Sequence, residues 1–360
     1  MSFRYKFYLK YIRKNIYTYL SLIIFLDFNQ ERKQIMLKKL ESLERVIGNT
    51  PMIKLEHEKI NLYAKLEYYN LMNSVKVRAA YHILKSAINR GEVNENSTII
   101  ESSSGNFAVA LATLCRYIGL KFIPVIDPNI NDSYENFLRA TSYQVANVDE
   151  RDETGGYLLT RLNKVKELLN TIPNAYWTNQ YNNADNFEAH YQGIGGEISN
   201  DFKQLDYAFI GVSTGGTIAG VSTRLKEKFP NIKIIAVDSQ GSIIFGDKPR
   251  KRYIPGIGAS MIPGMVKKAL IDDVMIVPEV HTVAGCYELF NKHAIFAGGS
   301  SGTSYYAIQK YFENRDVQNT PNVVFLCPDN GQAYTSTIYN VEWVEWLNTQ
   351  KSVEDQLVSL

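Results

Sequence analysis

Strand-like and helix-like segments alternate along most of this chain, and this alternation limits the possible folds more than any other feature of the sequence. Short runs rich in β-branched and aromatic residues are followed by loops and by segments with helical spacing of their apolar residues. The clearest strand candidates read NLYAKLEYY, STIIESS, KFIPVID, DYAFIGV, KIIAVDS and NVVFLCPD. Repeated β–α–β order predicts mostly parallel sheets that are covered by helices on both faces.

The length of the chain indicates how many such sheets it holds. Its 360 residues, 45% of them apolar, are enough for two domains with sizeable cores. We predict an α/β fold of two three-layer αβα domains with the active site between them. The larger domain would comprise residues 36–80 and 180–345, the smaller and mobile substrate domain residues 81–179, and a C-terminal tail residues 346–360.

Charge and cysteine usage exclude several classes of protein. The 39 basic and 37 acidic residues nearly cancel, so no basic surface for a nucleic acid is indicated. Cys115, Cys286 and Cys327 are odd in number and far apart, which argues against disulfides and structural zinc and fits a reducing cytoplasm. Each is best interpreted as a small buried apolar residue. Because the sequence also lacks an HExxH pair, no metal site is predicted.

The first 35 residues differ in character from the rest. Five basic residues between positions 4 and 14 precede an apolar run at 19–26, and no small-residue cleavage site follows. The run is too short to span a membrane. We therefore predict a leader that is disordered or results from a misassigned start, since Met36 opens a natural enzyme start; a membrane anchor is the alternative.

The motif NSVKVRA places Lys76 at the start of a predicted helix. An isolated lysine is usually solvated. A lysine that attaches a carbonyl cofactor must instead be held beside it and made nucleophilic by desolvation or by nearby charge. A helix N-terminus next to an anionic cofactor provides both position and field.

The motif ESSSGN lies between a predicted strand and a predicted helix. Its residues Ser103, Ser104 and Gly105 present hydroxyl and backbone N–H groups at a positive helix end, which suits an anion such as a substrate carboxylate. Asn106 supplies a neutral hydrogen bond for a cofactor oxygen. Taken alone, such a loop is often only a turn.

Two further loops are rich in glycine and hydroxyl groups. The first consists of Ser213, Thr214, Gly215, Gly216 and Thr217, whose backbone can approach a phosphate closely. It lacks the P-loop lysine and the GxGxxG pattern, so a non-nucleotide phosphate cofactor fits best. The second loop, GGSSG, contains Ser300, whose hydroxyl can bond a pyridine nitrogen without giving it a full positive charge. Such a weak electron sink favours β-elimination.

Taken in order, these four loops resemble those of the fold-type II pyridoxal-phosphate enzymes, the tryptophan synthase β-like family of cysteine synthase and cystathionine β-synthase. The resemblance runs from Leu43 to Gly331 and begins with IGNTPMIKL. It implies that pyridoxal 5′-phosphate is attached to Lys76, which also acts as catalytic base. It further implies that Asn106 contacts the phenolic oxygen, that residues 213–217 hold the phosphate, and that Ser300 contacts the ring nitrogen.

The same resemblance implies a substrate site and an assembly. The substrate carboxylate would bind at Ser103, Ser104, Gly105 and Asn106, with Gln180 beside them. Gly256, Ile257 and Gly258 would belong to a flexible loop that closes over small amino-acid substrates. The family also implies a homodimer.

Within this family, three segments resemble N-(2-amino-2-carboxyethyl)-L-glutamate synthases, namely GGYLLTR, GSIIFGDKP and AYWTNQY. These enzymes supply 2,3-diaminopropionate for siderophores and some peptide antibiotics. The resemblance implies O-phospho-L-serine and L-glutamate as substrates, with release of phosphate. Arg161 and Arg151 are candidates for the phosphate partner, although any single arginine here is more often a solvated surface charge.

One loop departs from the family pattern and keeps alternatives open. Residues 70–74 read NLMNS, where the family usually has proline or small residues with glycine. The alternative within the same chemistry is a cysteine synthase or cystathionine β-synthase that adds a sulfur nucleophile to O-acetylserine, O-phosphoserine or serine. A catalytically inactive scaffold is a third interpretation, supported by this loop alone.

Overall fold

The strands of the chain form two sheets. The computed structural model describes residues 30–153, 156–317 and 319–358, with side chains up to residue 352. The larger sheet has the order β1-β2-β10-β7-β8-β9 and the smaller one β5-β4-β3-β6. The strands are β1 (Met52–Leu55), β2 (Asn61–Leu66), β3 (Thr98–Ser102), β4 (Lys121–Ile126), β5 (Ala146–Asn147), β6 (Ala175–Trp177), β7 (Tyr207–Gly211), β8 (Lys233–Ser239), β9 (Asp273–Val277) and β10 (Asn322–Cys327). Of the pairs in these sheets only β1 with β2 is antiparallel, which confirms the predicted α/β fold with mostly parallel sheets.

Helices connect nearly all of these strands. They are α1 (30–42), α2 (Lys76–Arg90), α3 (Asn106–Ile118), α4 (Asp132–Thr141), α5 (Leu158–Thr171), α6 (Ala184–His190), α7 (Gly196–Asp201), α8 (Gly216–Lys228), α9 (Glu279–His293), α10 (Gly299–Glu313) and α11 (Val341–Val358). A π-helical turn, Tyr191–Gly195, joins α6 to α7. A 3₁₀ turn, Leu71–Asn73, precedes α2.

Consecutive residues of the central strands pack into different cores, because side chains of a strand alternate between its two faces. In β3, Ile99 packs with α2 and α3, whereas Ile100 packs with α5. In β10, Phe325 lies in the core formed with α9 and α10, whereas Val324 lies in the core formed with α7 and α8. Each sheet is therefore buried on both faces, which explains why these strands read as continuous apolar runs.

The helix C-termini follow the glycine signals of the sequence. The α2 helix ends at Gly91, which has a φ of +77° and donates its N–H to the carbonyls of Ala87 and Ile88. Gly119 ends α3 in the same left-handed conformation. Glycine adopts this conformation without steric cost, so it terminates both helices cleanly.

The predicted leader and tail lie only partly within the described residues. Residues 1–29 are outside them, whereas 30–35 belong to α1, a helix that buries Met36, Leu37 and Leu40. The predicted tail begins inside α11, where Leu347 is fully buried. Over the residues that the structure describes, no helix combines the length and the apolar character that crossing a membrane requires.

Helices α9 and α10 approach each other through glycine. A Cβ atom on Gly285 would lie 2.2 Å from the carbonyl oxygen of Gly302. We therefore expect Gly285→Ala to lower the free energy of unfolding by about 2–3 kcal/mol, because the helices must separate. Gly196→Ala is the matched control, since its Cβ would meet only one atom, at 3.9 Å. Denaturant unfolding measures both variants, and equal losses would contradict the steric explanation.

Candidate active site

Four helix N-termini meet near the carboxyl ends of the parallel strands. The helices α2, α3, α8 and α10 begin at Lys76, Asn106, Gly216 and Gly299. The α3 helix follows β3 of the smaller sheet, and α8 follows β7 of the larger one. Because a helix N-terminus carries a partial positive charge and free N–H groups, the region between the sheets is suited to anions.

One cavity in this region brings together most of the residues predicted to bind the cofactor. The predicted residues that line it are Lys76, Asn106, Ser213, Thr214, Gly215, Thr217, Gly256 and Ser300. Asp329, which belongs to none of the four sequence motifs, lines the same cavity. Residues that are far apart in the sequence are therefore neighbours, in the arrangement that the order of motifs implies.

The other predicted residues lie around this cavity. Ser103, Ser104 and Gly105 form the turn between β3 and Asn106, and Gln180 is buried shortly after β6. Gly216 is the first residue of α8. Gly258 follows the cavity residue Gly256 and donates its N–H to the carbonyl of Val212 at 2.8 Å. The side chain of Ile257 lies in the core of the larger sheet, so any contact with substrate there comes from its backbone.

The Ser213–Thr217 loop depends on two glycines. Gly215 has a φ of +85°, and a Cβ atom there would lie 2.7 Å from Val266. A Cβ atom on Gly216 would lie 2.4 Å from the amide oxygen of Asn186. Asn186 in turn donates to the carbonyl of Gln180 at 2.6 Å, so the loop and the predicted substrate segment share a buried support. Larger residues at these two positions would displace the loop, whose backbone N–H groups are the candidate donors to a phosphate.

Lys76 and Asp329 are titratable groups that line this same cavity. Burial lowers the pKa of Lys76, and the Asp329 carboxylate acts in the opposite direction. Burial also raises the pKa of Asp329 to about 6, which hydrogen bonds from Tyr334 and Asn106 and the charge of Lys76 partly offset. A lysine with a depressed pKa has a larger share of free amine, which is the reactive form.

Asn106 is held in one orientation by two side chains. Its amide nitrogen donates to Asp329 Oδ2 at 2.7 Å, and its amide oxygen accepts from the Tyr134 hydroxyl at 2.5 Å. The amide NH₂ has two hydrogens, so one N–H is left for a cofactor oxygen. This geometry fits the contact that the sequence resemblance implies.

The unusual loop before the lysine contains two left-handed residues. Met72 and Asn73 have φ values of +61° and +52°, where glycine would be free of strain. Asn70 stabilises the loop, since its side chain accepts from the N–H of Gly48 at 2.7 Å and donates to the backbone and side chain of Glu67. The loop therefore leads into α2 in a defined conformation although its sequence departs from the family pattern.

A buried cluster of charges lies next to this loop. Arg78 donates from Nε to Glu67 Oε2 at 2.6 Å and from NH1 to Glu197 Oε1 at 2.5 Å. Lys65 lies 2.7 Å from the other oxygen of Glu197. Both cations and Glu67 are almost fully buried, and two carboxylates balance two positive charges. The cluster ties β2 and α7 to the first turn of α2.

The two arginines proposed as phosphate partners differ in environment. Arg161 is only 14% exposed and forms an ion pair of 3.0 Å with Asp127, which directly follows β4. The interpretation of this residue as a solvated charge is therefore wrong. Burial raises the pKa of Tyr181, and the charge of the Arg161 guanidinium opposes that effect. Arg151 is exposed and stacks over the ring of Tyr157 at 4.8 Å.

A two-sheet α/β fold in which a lysine, a glycine-rich loop suited to a phosphate and a serine at a helix start share one cavity fits a cofactor-dependent enzyme. The family of pyridoxal-phosphate dependent enzymes matches residues 43–329, and the chain belongs to this family. It is therefore an enzyme, and its cofactor is pyridoxal phosphate.

Solved structures of the cysteine synthase and cystathionine β-synthase type are similar to this chain. The O-acetylserine dependent cystathionine β-synthase of Helicobacter pylori is 30% identical, with a TM-score of 0.77, and covers 83% of this chain and 98% of its own. A hydrogen sulfide-producing enzyme of Fusobacterium nucleatum is 29% identical, with a TM-score of 0.74. The match covers 81% of this chain and 98% of that enzyme. A second hydrogen sulfide-producing enzyme, solved with an α-aminoacrylate intermediate, is 31% identical, with a TM-score of 0.76. The match covers 83% of this chain and 91% of that enzyme.

The charge cluster predicts a dependence of stability on pH. Hydrogen bonds from Arg78 and Lys65 outweigh the effect of burial and lower the pKa of Glu197 from 4.5 to about 2. Because the folded-state pKa is the lower one, this stabilisation is present above about pH 4.5 and is lost as the pH falls towards 2. We expect Glu197→Gln to show a shallower decline of the free energy of unfolding over this range.

Urea unfolding at a series of pH values tests this prediction. The matched control is Glu167→Gln, which removes a carboxylate that is 57% exposed and pairs with Lys164 on the surface of α5. This control should retain the wild-type slope, since exposed pairs contribute little. A wild-type slope in Glu197→Gln would contradict the prediction.

Proposed function

We propose that this enzyme catalyses a β-replacement that joins O-phospho-L-serine and L-glutamate to N-(2-amino-2-carboxyethyl)-L-glutamate and releases phosphate. The product would serve the formation of 2,3-diaminopropionate for a siderophore or a peptide antibiotic. The observation that carries this proposal is the position of Arg161, a largely buried cation next to the predicted substrate segment.

The elements around Arg161 explain its suitability for a phosphate. Its partner Asp127 follows β4, the loop with Ser103 follows β3, and Gln180 follows β6. These strands are neighbours in the smaller parallel sheet, so all three loops lie at one edge. The Nε atom of Arg161 is buried and has no hydrogen-bond partner. A buried guanidinium with a free donor is suited to a phosphate or carboxylate oxygen.

The residues of the chain have separate tasks in the proposed reaction. Pyridoxal phosphate, when bound, supplies the electron sink that makes the Cα proton of the amino acid acidic. The Ser213–Thr217 loop holds its phosphate, and Asn106 and Ser300 contact its ring. The Ser103–Gly105 turn and Gln180 bind the substrate carboxylate. Lys76 Nζ would take the Cα proton as general base, and the Cβ–O bond then breaks as phosphate leaves. The neutral amine of glutamate adds at Cβ and loses one proton to solvent, and Lys76 Nζ returns its proton to Cα.

We further propose a cytoplasmic homodimer in which residues 81–179 move over the substrate. The cysteines support a reducing compartment, because all three are free and buried. The separate smaller sheet, whose strands lie between residues 98 and 177, supports a mobile unit.

Sulfur chemistry is the second candidate, and the similar structures favour it. These relatives are an O-acetylserine dependent cystathionine β-synthase and two hydrogen sulfide-producing enzymes. A cysteine synthase or cystathionine β-synthase would use the same cofactor site and Lys76, but a sulfur nucleophile would take the place of glutamate.

Phosphate release separates the two candidates. We expect the purified enzyme to release phosphate from O-phospho-L-serine in the presence of L-glutamate, with the amine adduct detected by mass spectrometry. Sulfide and homocysteine should support little turnover. Equal or faster turnover with O-acetyl-L-serine and sulfide would contradict the proposal and identify the sulfur enzyme.

Lys76→Ala tests the assignment of the cofactor lysine and the scaffold interpretation together. The wild-type protein should absorb in the visible region, with a spectrum that changes on addition of O-phospho-L-serine. The variant should lose this absorbance and turnover, since the amine that attaches the cofactor is missing. A variant that keeps the band, or a wild-type band without any response to substrate, would contradict the assignment.

Arg161→Ala should discriminate between donor substrates. Loss of a charge-assisted hydrogen bond costs about 1.5–3 kcal/mol, so kcat/KM for O-phospho-L-serine should fall about 10- to 100-fold. Turnover of O-acetyl-L-serine, which lacks the phosphate, should fall much less. Arg151→Ala is the matched control and should change both values less than about threefold, as expected for an exposed charge. Equal losses on both donors in Arg161→Ala would indicate general damage and contradict the proposed contact.

A further inference from the structure

Asp329 is a buried carboxylate that the proposed reaction does not use. It directly follows Pro328 after β10 and is only 5% exposed. Its Oδ2 atom accepts hydrogen bonds from the Tyr334 hydroxyl at 2.9 Å and from the Asn106 amide at 2.7 Å. Its Oδ1 atom is buried without a hydrogen-bond partner. An unpaired buried anion is costly unless a cation faces it.

The backbone fixes Asp329 between two of the loops that form the cavity. The N–H of Val75 donates to the carbonyl of Pro328 at 2.8 Å, and Ser74 forms a β-bridge with Asp329. On the other side, the N–H of Gly298 donates to the Asp329 carbonyl at 3.0 Å. The carboxylate therefore has a set position relative to Lys76, which follows Val75.

Gly298 shows that the cavity is built around this carboxylate. A Cβ atom on Gly298 would lie 2.0 Å from Asp329 Oδ1. Glycine at this position is thus required by the space that the unpaired oxygen occupies. Lys76 lines the same cavity and is the cation that acts on Asp329.

We propose that Asp329 is a positioning residue of the cofactor site, whose Oδ1 is the counter-charge of the Lys76 amine and whose Oδ2 orients the Asn106 amide. This inference rests on the proposed role of Lys76. In it, the carboxylate increases the proton affinity of Lys76 Nζ and so opposes the effect of burial, and the fixed amide of Asn106 keeps one N–H towards the cofactor.

The other titratable groups that face this pair are expected to stay neutral near physiological pH. Burial raises the pKa values of Tyr134, Tyr334, Cys286 and Cys327, and it lowers that of His190. The charge on Asp329 therefore controls protonation of Lys76 more strongly than these neighbours do. Asp329→Asn removes that charge, while its amide oxygen can still accept from Tyr334 and Asn106.

The pH dependence of Lys76 acylation tests the inference on the full-length chain freed of its cofactor. Competitive labelling with acetic anhydride and peptide mass spectrometry report the fraction of free amine, with the exposed Lys38 as internal reference. An opposite charge at close range shifts a pKa by about one unit or more, so Asp329→Asn should label Lys76 about tenfold faster at a pH below its midpoint. Labelling of Lys38 should not change.

Tyr334→Phe is the matched control, because it removes a hydrogen bond to Oδ2 and retains the carboxylate. Its Lys76 labelling should change less than about threefold. If Asp329→Asn folds poorly by thermal unfolding, the smaller and equally uncharged Asp329→Ser replaces it. The inference would be overturned if Lys76 in these uncharged variants were labelled at the wild-type rate. It would also be overturned if Tyr334→Phe changed the rate of Lys76 labelling as much as they do. Either result leaves the assignment of Lys76 itself intact, because that assignment is tested separately by the visible spectra of the wild type and of Lys76→Ala.

Discussion

The buried charges around Arg78 hold together the part of the fold on which the active site depends. Arg78 binds Glu67 at the end of β2 and Glu197 in α7, and Lys65 completes the cluster. Removing one partner from such a cluster costs about 3–5 kcal/mol, because a buried charge is left uncompensated. Since Arg78 is two residues after Lys76 on α2, the same contacts set where the lysine enters the cavity.

Around this anchor, the two sheets contribute different halves of the site. The larger sheet supplies the Ser213–Thr217 loop and Ser300, which suit the cofactor, whereas the smaller sheet supplies the Ser103–Gly105 turn and the region of Arg161. The start of α3 joins the halves, because Asn106 follows the substrate turn and bonds Asp329 of the larger sheet.

The sequence predicted the elements well and some contacts poorly, for physical reasons that differ. Strands buried on both faces read as apolar runs, and Gly91 and Gly119 mark helix ends by their left-handed conformation. Asp329 was not predicted because it ends a predicted strand segment and belongs to none of the four motifs. Its position at the carboxyl end of a parallel strand could have indicated a site residue. The burial of Arg161 could not be read from the sequence, since it requires Asp127 from another loop.

The sequence alone determined the α/β class and the order of the loops, and it predicted Lys76 as the cofactor lysine, because local patterns and motif order carry this information. Only the tertiary structure decided which charges compensate each other. The ion pairs of Arg78 with Glu67 and Glu197, and the placement of Lys76 and Asp329 around one cavity, depend on distances between segments that are separate in the chain. Hydrogen bonds require contact between donor and acceptor, and the Coulomb energy of an ion pair weakens with distance, so both depend on which segments meet in the fold and no local pattern encodes them.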